Sequence, residues 1–205
     1  KVNSGEYKLM GLAPYGKPRF IKIIKENLID IKEDGTFRLD LSFFKFHRGF
    51  RMTSQKFHKL FGKPPRASES ELTQFHMDLA ASIQLVTEEV VIKIARSLRK
   101  ETGLNKLCLA GGVALNCVAN GKLLREKIFD DIWIQPASGD SGSSLGAALI
   151  GWYEEFKSIR IINSNDSMKG AYLGSEFSNK DINDYLISIK VPFQNLNDKD
   201  LFEQI

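Results

Sequence analysis

An α/β fold with parallel strands is predicted by three features of the sequence. Two short apolar runs, "KLCLA" at 106–110 and "DIWIQP" at 131–136, are each followed by small, glycine-rich turns and then by helical periodicity. Strand, helix, strand, helix in that order calls for parallel strands in βαβ units, with the functional loops at the strands' carboxyl ends. The third feature is a change of composition near residue 159, where Asn, Ser, Asp and Lys take over in "INSNDSMKGAYLGSEFSNKDIND". A boundary there gives one domain over 1–158, then a linker and the first elements of another over 159–205.

Taken in order, residues 1–20, "KVNSGEYKLMGLAPYGKPRF", are dense in Gly, Pro and Tyr and predict a loop around a short helical turn. "FIKIIKENLI" has helical periodicity, and "GTFRLDLSFFKFH" alternates enough for one or two strands. An aromatic, basic connector runs on to "FGKPPRASES". The clearest helix is predicted from Ser68, because Ser68 and Glu71 have capping-box spacing. Leu72, Phe75, Leu79, Ile83, Val90, Ile94 and Leu98 recur on one face, and Gly103 closes the helix as a left-handed cap with Leu104 packing behind it. On the same helix Gln84, Thr87 and Glu88 share a face that reads as solvated. Further on, helices are expected from about Leu115 to Lys127, through "GSSLGAALIGWYEEF", and from near Asn179.

Composition narrows the function classes. The net charge of +4 is scattered rather than gathered into one run, so no nucleic-acid partner is expected. There is neither a bilayer-length apolar segment nor a charged-then-apolar leader, so no membrane partner is expected and the location is read as cytoplasmic. Cys108 and Cys117 lack C-x-x-C spacing and are expected to be small buried residues. His47, His58 and His76 have no metal-ligand spacing. The chain opens at Lys1 without an initiating Met and stops at Ile205 within an expected helix, so a piece of a longer protein is expected.

Chemistry concentrates in the two loops. In "AGGVALN" the glycines leave backbone N–H groups uncovered just before a helix, and such a terminus favours an anion such as phosphate. Close strand–helix packing without a ligand would use the same glycines. Asn116 follows in the first helical turn, where it could donate to a phosphate or a sugar hydroxyl, or only meet solvent. "PASGDSGSSLGAAL" repeats the arrangement, and there Asp140 is either an N-cap or a ligand for a divalent cation. The run of small residues at 142–148 is expected to pack tightly on the sheet.

In this order and separation, "GEYKLMGLAPYG", "AGGVALN" and "PASGDSGSSLGAAL" resemble the carbamoyltransferases of the nodulation-protein and antibiotic-tailoring type. "DLAASIQLVTEEVV" and "AYLGSEF" are also similar to that family. The resemblance implies transfer of a carbamoyl group from carbamoyl phosphate to a hydroxyl of a sugar, oligosaccharide or secondary metabolite, using ATP and a carbamoyl-adenylate intermediate. It implies an actin-like ATPase (ribonuclease H-like) fold shared with the tRNA threonylcarbamoyl transferases. On this view 1–158 is the second lobe of that domain and 159–205 begins a carboxyl-terminal α+β domain. By motif, Gly111, Gly112 and Asn116 would contact the nucleotide, Lys8 would be a further nucleotide or acceptor contact, and Asp140 would ligate a divalent metal such as iron or magnesium. A first lobe with paired metal-binding histidines would precede Lys1, so the isolated piece is expected to lack turnover. Another actin-like enzyme, such as a sugar kinase or a threonylcarbamoyl transferase, and a non-catalytic nucleotide-binding module are the alternatives.

Overall fold

The axis of the first unit is a single 29-residue helix, α4 (Gln74–Thr102), about 43 Å long at 1.5 Å per residue. The computed structural model describes residues 5–47, 49–162, 165–172 and 174–204; Arg48, in the basic connector, lies outside them. Two units are distinct, 1–160 and 161–205.

Helix α4 begins at Gln74, six residues later than the sequence predicts. Glu69 sits at φ 57° between the two residues expected to form the cap, and the Ser70 N–H closes a turn on Ala67 C=O at 3.2 Å, so the chain cannot enter a helix there. The capping pattern moves to Thr73, whose N–H donates to Nδ1 of His76 at 3.0 Å. Burial, then the positive charges of Arg66 and Lys63, hold the His76 imidazolium below its ordinary pKa, in keeping with a neutral ring whose Nδ1 accepts. At the other end Gly103 is in the left-handed conformation, φ 66°, as expected, but Leu104 is 63% exposed rather than packed behind it.

Two hydrophobic clusters form along this axis. Val86 of α4 joins Ile24, Leu28, Phe43 and Phe61, with Phe20, Phe57 and Phe75 packed around them. Further along, Ile92 and Ala95 join Leu107, Leu123 and Phe129. Leu123 is 1% exposed, and burying such a side chain contributes about 1.5–3 kcal/mol. The predicted stripe is only half right: Leu72 lies before the helix and is exposed, as are Ile94 and Leu98, while Ala80, Ala81, Ser82, Gln84 and Glu88 are buried. Positions 81, 84, 88, 92 and 95 are three and four apart and make one inward stripe, so Gln84 and Glu88 are core residues and not solvated ones.

The opening segment is more helical than its turn residues suggest. Helix α1 (Glu6–Leu12) runs into a 3₁₀ turn at Ala13–Tyr15 that tolerates Pro14 at its start. Gly16 then presses on α4 so closely that a Cβ there would lie 1.9 Å from the carbonyl oxygen of Met77. Two buried polar side chains of α4 take up the backbone of this segment. Asp78, 3% exposed, accepts from the Lys17 N–H at 2.7 Å and the Gln74 side-chain amide at 2.8 Å, and pairs with Arg19 at 3.3 Å. Ser82 accepts from the Phe20 N–H at 3.0 Å and donates to Asp78 C=O at 2.6 Å.

The Lys17 N–H, then the Gln74 amide, with the Arg19 charge adding to them, hold the Asp78 carboxyl below the usual carboxylate range. A depressed carboxylate stabilises the fold fully above its unfolded value, about 3.9, and loses that contribution as pH falls through the lower folded value. Asp78→Asn is therefore expected to melt below the wild type at neutral pH, with the gap closing below about pH 4. Melting temperature against pH for both proteins checks this; a constant gap would mean the carboxylate charge contributes nothing.

Helix α2 (Ile21–Asn27) leads into a hairpin of β1 (Ile29–Ile31) and β2 (Phe37–Leu39), antiparallel with Ile29 opposite Leu39. Inside the predicted connector lies a helix the sequence reading omits, α3 (Gln55–Phe61). Ser54 caps its first turn by accepting from the Phe57 N–H, and Gly62 closes it at φ 69°. Beyond α4 come β3 (Lys106–Leu109), α5 (Cys117–Arg125), β4 (Asp131–Ile134) and α6 (Asp140–Ile150). Strands β3 and β4 are parallel with Lys106 opposite Asp131 and Cys108 opposite Trp133, the expected βαβ unit. Leu107 and Ile132 face the second cluster. The alternate positions Cys108 and Trp133, on the other face of the two-stranded pair, are exposed. Cys117, in the first turn of α5, is also exposed, so neither cysteine is the buried residue expected.

Helix α6 buries no residue, contrary to the expected packing of residues 142–148 on the sheet. It continues as a π-helical turn at Gly151–Glu155, and Ile150, Trp152 and Phe156 stand more than half exposed. The second unit holds α7 (Asn179–Ser188) and α8 (Asp198–Gln204). Ser178 and Asp181 form a capping box at the start of α7: the Asp181 N–H donates to Ser178 Oγ at 3.1 Å and the Ser178 N–H to Asp181 Oδ2 at 2.9 Å. No helix among the described residues is long and apolar enough to cross a membrane.

Candidate nucleotide site

The two glycine-bearing loops leave β3 and β4 at the same, carboxyl-terminal edge, as parallel pairing requires, and they are tied to each other. The Gln135 N–H donates to Leu109 C=O at 3.0 Å, extending the strand ladder by one step, and the Gly111 N–H donates to Ser138 C=O at 2.8 Å. Ser138 is buried, and its hydroxyl donates to Gln135 C=O. One loop thus braces the other.

Gly111 stands at φ 99°, ψ 163°, a region that is essentially glycine's alone, where any other residue is strained by roughly 1–3 kcal/mol. Gly112 is not in the left-handed region. A Cβ at either glycine would meet nothing within 4 Å, so these glycines are not forced by strand–helix packing. They border open space. A 3₁₀ turn spans Gly112–Leu115, and the Ala114 N–H bonds to Gly111 C=O at 3.0 Å. The first donors of such a turn, on Gly112 and Val113, precede its bonding pattern and are available to an acceptor.

Asn116 is the N-cap of α5 rather than a residue of its first turn, and its Oδ1 accepts from the Ala119 N–H at 3.0 Å. Its amide also pairs face to face with Gln84 of α4: Nδ2 donates to Gln84 Oε1 at 3.0 Å, and Gln84 Nε2 donates back to Oδ1 at 3.2 Å. Gln84 Nε2 further donates to Glu88 Oε1 at 3.0 Å, and Glu88 Oε2 accepts from Lys122 of α5 at 3.2 Å. The Ala119 N–H requires an oxygen of Asn116, which fixes the orientation of both amides as far as the Glu88 carboxylate. Of the two donors and two acceptor positions on Asn116, one N–H remains for a ligand.

Asp140 is the first helical residue of α6 and is exposed; the cap position is held by Gly139, which is extended and contributes no side chain. The N-cap alternative for Asp140 is thereby ruled out. No hydrogen bond or ion pair among the described residues engages its carboxylate. What keeps this turn small is Gly142, where a Cβ would lie 2.1 Å from Ala137 C=O. Among the described residues no three His, Cys, Asp or Glu side chains gather into a metal-binding group, so Asp140 can supply one ligand and not a whole site. His76 caps α4, and His58 Nε2 meets Thr53 Oγ1 at 2.9 Å; both are occupied locally.

Lys8 lies exposed on α1, its ammonium 5.9 Å from the ring centroid of Tyr7. Helix α1 approaches the start of α5 through Met10, whose sulfur is 4.0 Å from that of Cys117. The sequence reading gives Gln84 and Glu88 to solvent and does not single out Lys122. Their signal was the spacing of Gln84 and Glu88 within the stripe that also carries Ala81, Ile92 and Ala95.

A parallel pair of strands with a crossover helix and both glycine-bearing loops at the carboxyl-terminal edge defines an α/β domain. The family model for the carbamoyltransferase N-terminus matches residues 1–149, and the chain belongs to the carbamoyltransferase family. An uncharacterised protein of Synechocystis sp. is 53% identical over the whole of the chain, which covers 34% of that relative. Nodulation protein NolO of Bradyrhizobium diazoefficiens is 42% identical over 71% of the chain and 24% of its own length. Nodulation protein NolNO of Sinorhizobium fredii is 41% identical over 71% of the chain and 20% of its own length. The chain thus spans about a third or less of these relatives.

Proposed function

We propose that the chain forms the nucleotide-facing lobe of an ATP-dependent O-carbamoyltransferase. In this reading carbamoyl phosphate is hydrolysed to carbamate and inorganic phosphate, the carbamate oxygen attacks the α-phosphate of ATP and displaces pyrophosphate to give a carbamoyl-adenylate, and the carbamoyl group passes to a hydroxyl of a sugar, oligosaccharide or other metabolite with release of AMP and the hydroxyl proton. Residues 1–158 would be the second lobe of an actin-like ATPase domain and 159–205 the beginning of the carboxyl-terminal domain. The observation that carries the proposal is the joined pair of loops, held by the Gly111 N–H on Ser138 C=O, with both glycines facing open space.

The residues fit a nucleotide phosphate with its cation. Free N–H donors on Gly112 and Val113, the start of α5 and the remaining N–H of Asn116 would hold phosphate oxygens. Asp140 would give a divalent cation one carboxylate oxygen, the ligand type that hard cations take. When bound, such a cation would offset negative charge on the phosphates. The chain's own part is positioning and electrostatic stabilisation, with Lys8 a candidate at the rim.

The test is product analysis on the full-length protein. Pyrophosphate is expected to form only when carbamoyl phosphate and ATP are both present. Stoichiometric ADP from direct phosphorylation of an acceptor would overturn the reading in favour of a kinase.

A further inference from the structure

Four polar side chains between α4 and α5 form one chain of hydrogen bonds: Asn116, Gln84, Glu88 and Lys122. Gln84 and Glu88 are 8% and 6% exposed, in a helix stripe that otherwise buries alanine and isoleucine. Apolar residues of matched volume in such a place are often neutral or stabilising, so a buried polar chain is a poor device for stability alone. What it fixes is direction. Asn116 is the residue at which the glycine loop becomes α5, with φ −75° and ψ 89°. Its Nδ2 has one N–H tied to Gln84, which leaves the other with a set orientation.

We propose that Gln84 is a positioning residue of the nucleotide loop. Through the double amide pair it holds the Asn116 side chain so that its free N–H and the Gly112–Asn116 turn keep the geometry a phosphate needs. Glu88 and Lys122 hold Gln84 in turn: the Glu88 carboxylate accepts only, so it selects the orientation of the Gln84 amide that donates toward it. The proposal rests on the loop being a nucleotide site.

The test uses the full-length protein, with ATP and Mg²⁺ as the probe in calorimetric titration beside thermal melting. Gln84→Met keeps the volume and removes both halves of the amide pair. Its Kd for ATP is expected to rise at least about tenfold, in the range seen when a buried hydrogen-bonding group loses its partner. In transfer assays KM for ATP rises while kcat changes less than about threefold, since Gln84 touches no reacting atom. Ile24→Val, in the other hydrophobic cluster, serves as the stability control: it should lower the melting temperature with Kd unchanged. Should Gln84→Met fail to fold, Glu88→Gln keeps the volume and removes the acceptor-only partner that sets the Gln84 amide, and a rise in Kd in the same direction is expected. A Kd within about twofold of wild type in the folded variant would overturn the proposal. Wild-type protein that does not bind ATP would instead overturn the nucleotide reading itself.

Discussion

Asp140→Asn in the full-length protein is expected to fold normally, to lose bound divalent metal and to lose carbamoyl transfer by at least about a hundredfold. The magnitude follows from metal sites in general, where changing a residue that merely supports a ligand typically lowers affinity or activity 10–100-fold. The structure makes the experiment cleaner than the sequence alone allowed. Asp140 is not the cap of α6, because Gly139 occupies that position without a side chain. The exchange therefore removes no capping bond, and only the attraction of a carboxylate to a helix start is lost, about 0.3–1 kcal/mol. Since no partner within the described residues engages the carboxylate, a large functional loss cannot be ascribed to a broken ion pair. Metal content by elemental analysis, melting temperature and turnover are the three measurements. Retained metal with near-normal turnover would sink the assignment.

The parallel β3–β4 pair, its crossover helix and the two loops at one edge were legible because each is written locally. An apolar run of strand length, a glycine turn and a helical period are all properties of neighbouring residues. Gly103 was legible for the same reason: a left-handed cap needs only its own missing side chain. What failed to show depended on partners distant in sequence. Ser68 and Glu71 have the right spacing for a cap, yet Thr73 and His76 took the role, since Glu69 turns the chain away from helix. Ser54 and Gly62 do bracket α3 with ordinary cap residues, but the aromatic and basic residues around them masked its periodicity.

Burial was the least legible property. A polar residue on an amphipathic helix is ordinarily assigned to water, and Gln84 and Glu88 depart from that rule only because α5 brings Asn116 and Lys122 to meet them. Cys108 errs in the opposite direction. Strands of a parallel sheet usually have both faces covered, whereas here one face of a two-stranded pair is covered and Cys108 shares the other with Trp133. Helix α6 departs from its sequence pattern in the same way, with small residues suited to close packing and none of them buried.

Gly112→Val separates the two explanations of the glycine pair, which the sequence left open and which Gly111 cannot separate. At Gly111 a side chain would be strained by the backbone, φ 99°, so lower stability and lower affinity would arrive together. Gly112 has no such backbone constraint, and a Cβ there meets nothing within 4 Å. Valine at 112 should therefore change stability by no more than about 0.5 kcal/mol, as for substitutions away from packed features. On the ligand side the outcome differs. If a phosphate lies against the Gly112 N–H, two added methyl groups occupy its place, and Kd for ATP should rise by at least about tenfold, equivalent to about 1.4 kcal/mol. Titration with ATP and Mg²⁺ beside thermal melting checks both halves. A large fall in melting temperature with unchanged affinity would mean that the glycines serve packing in the full-length protein and that the nucleotide lies elsewhere.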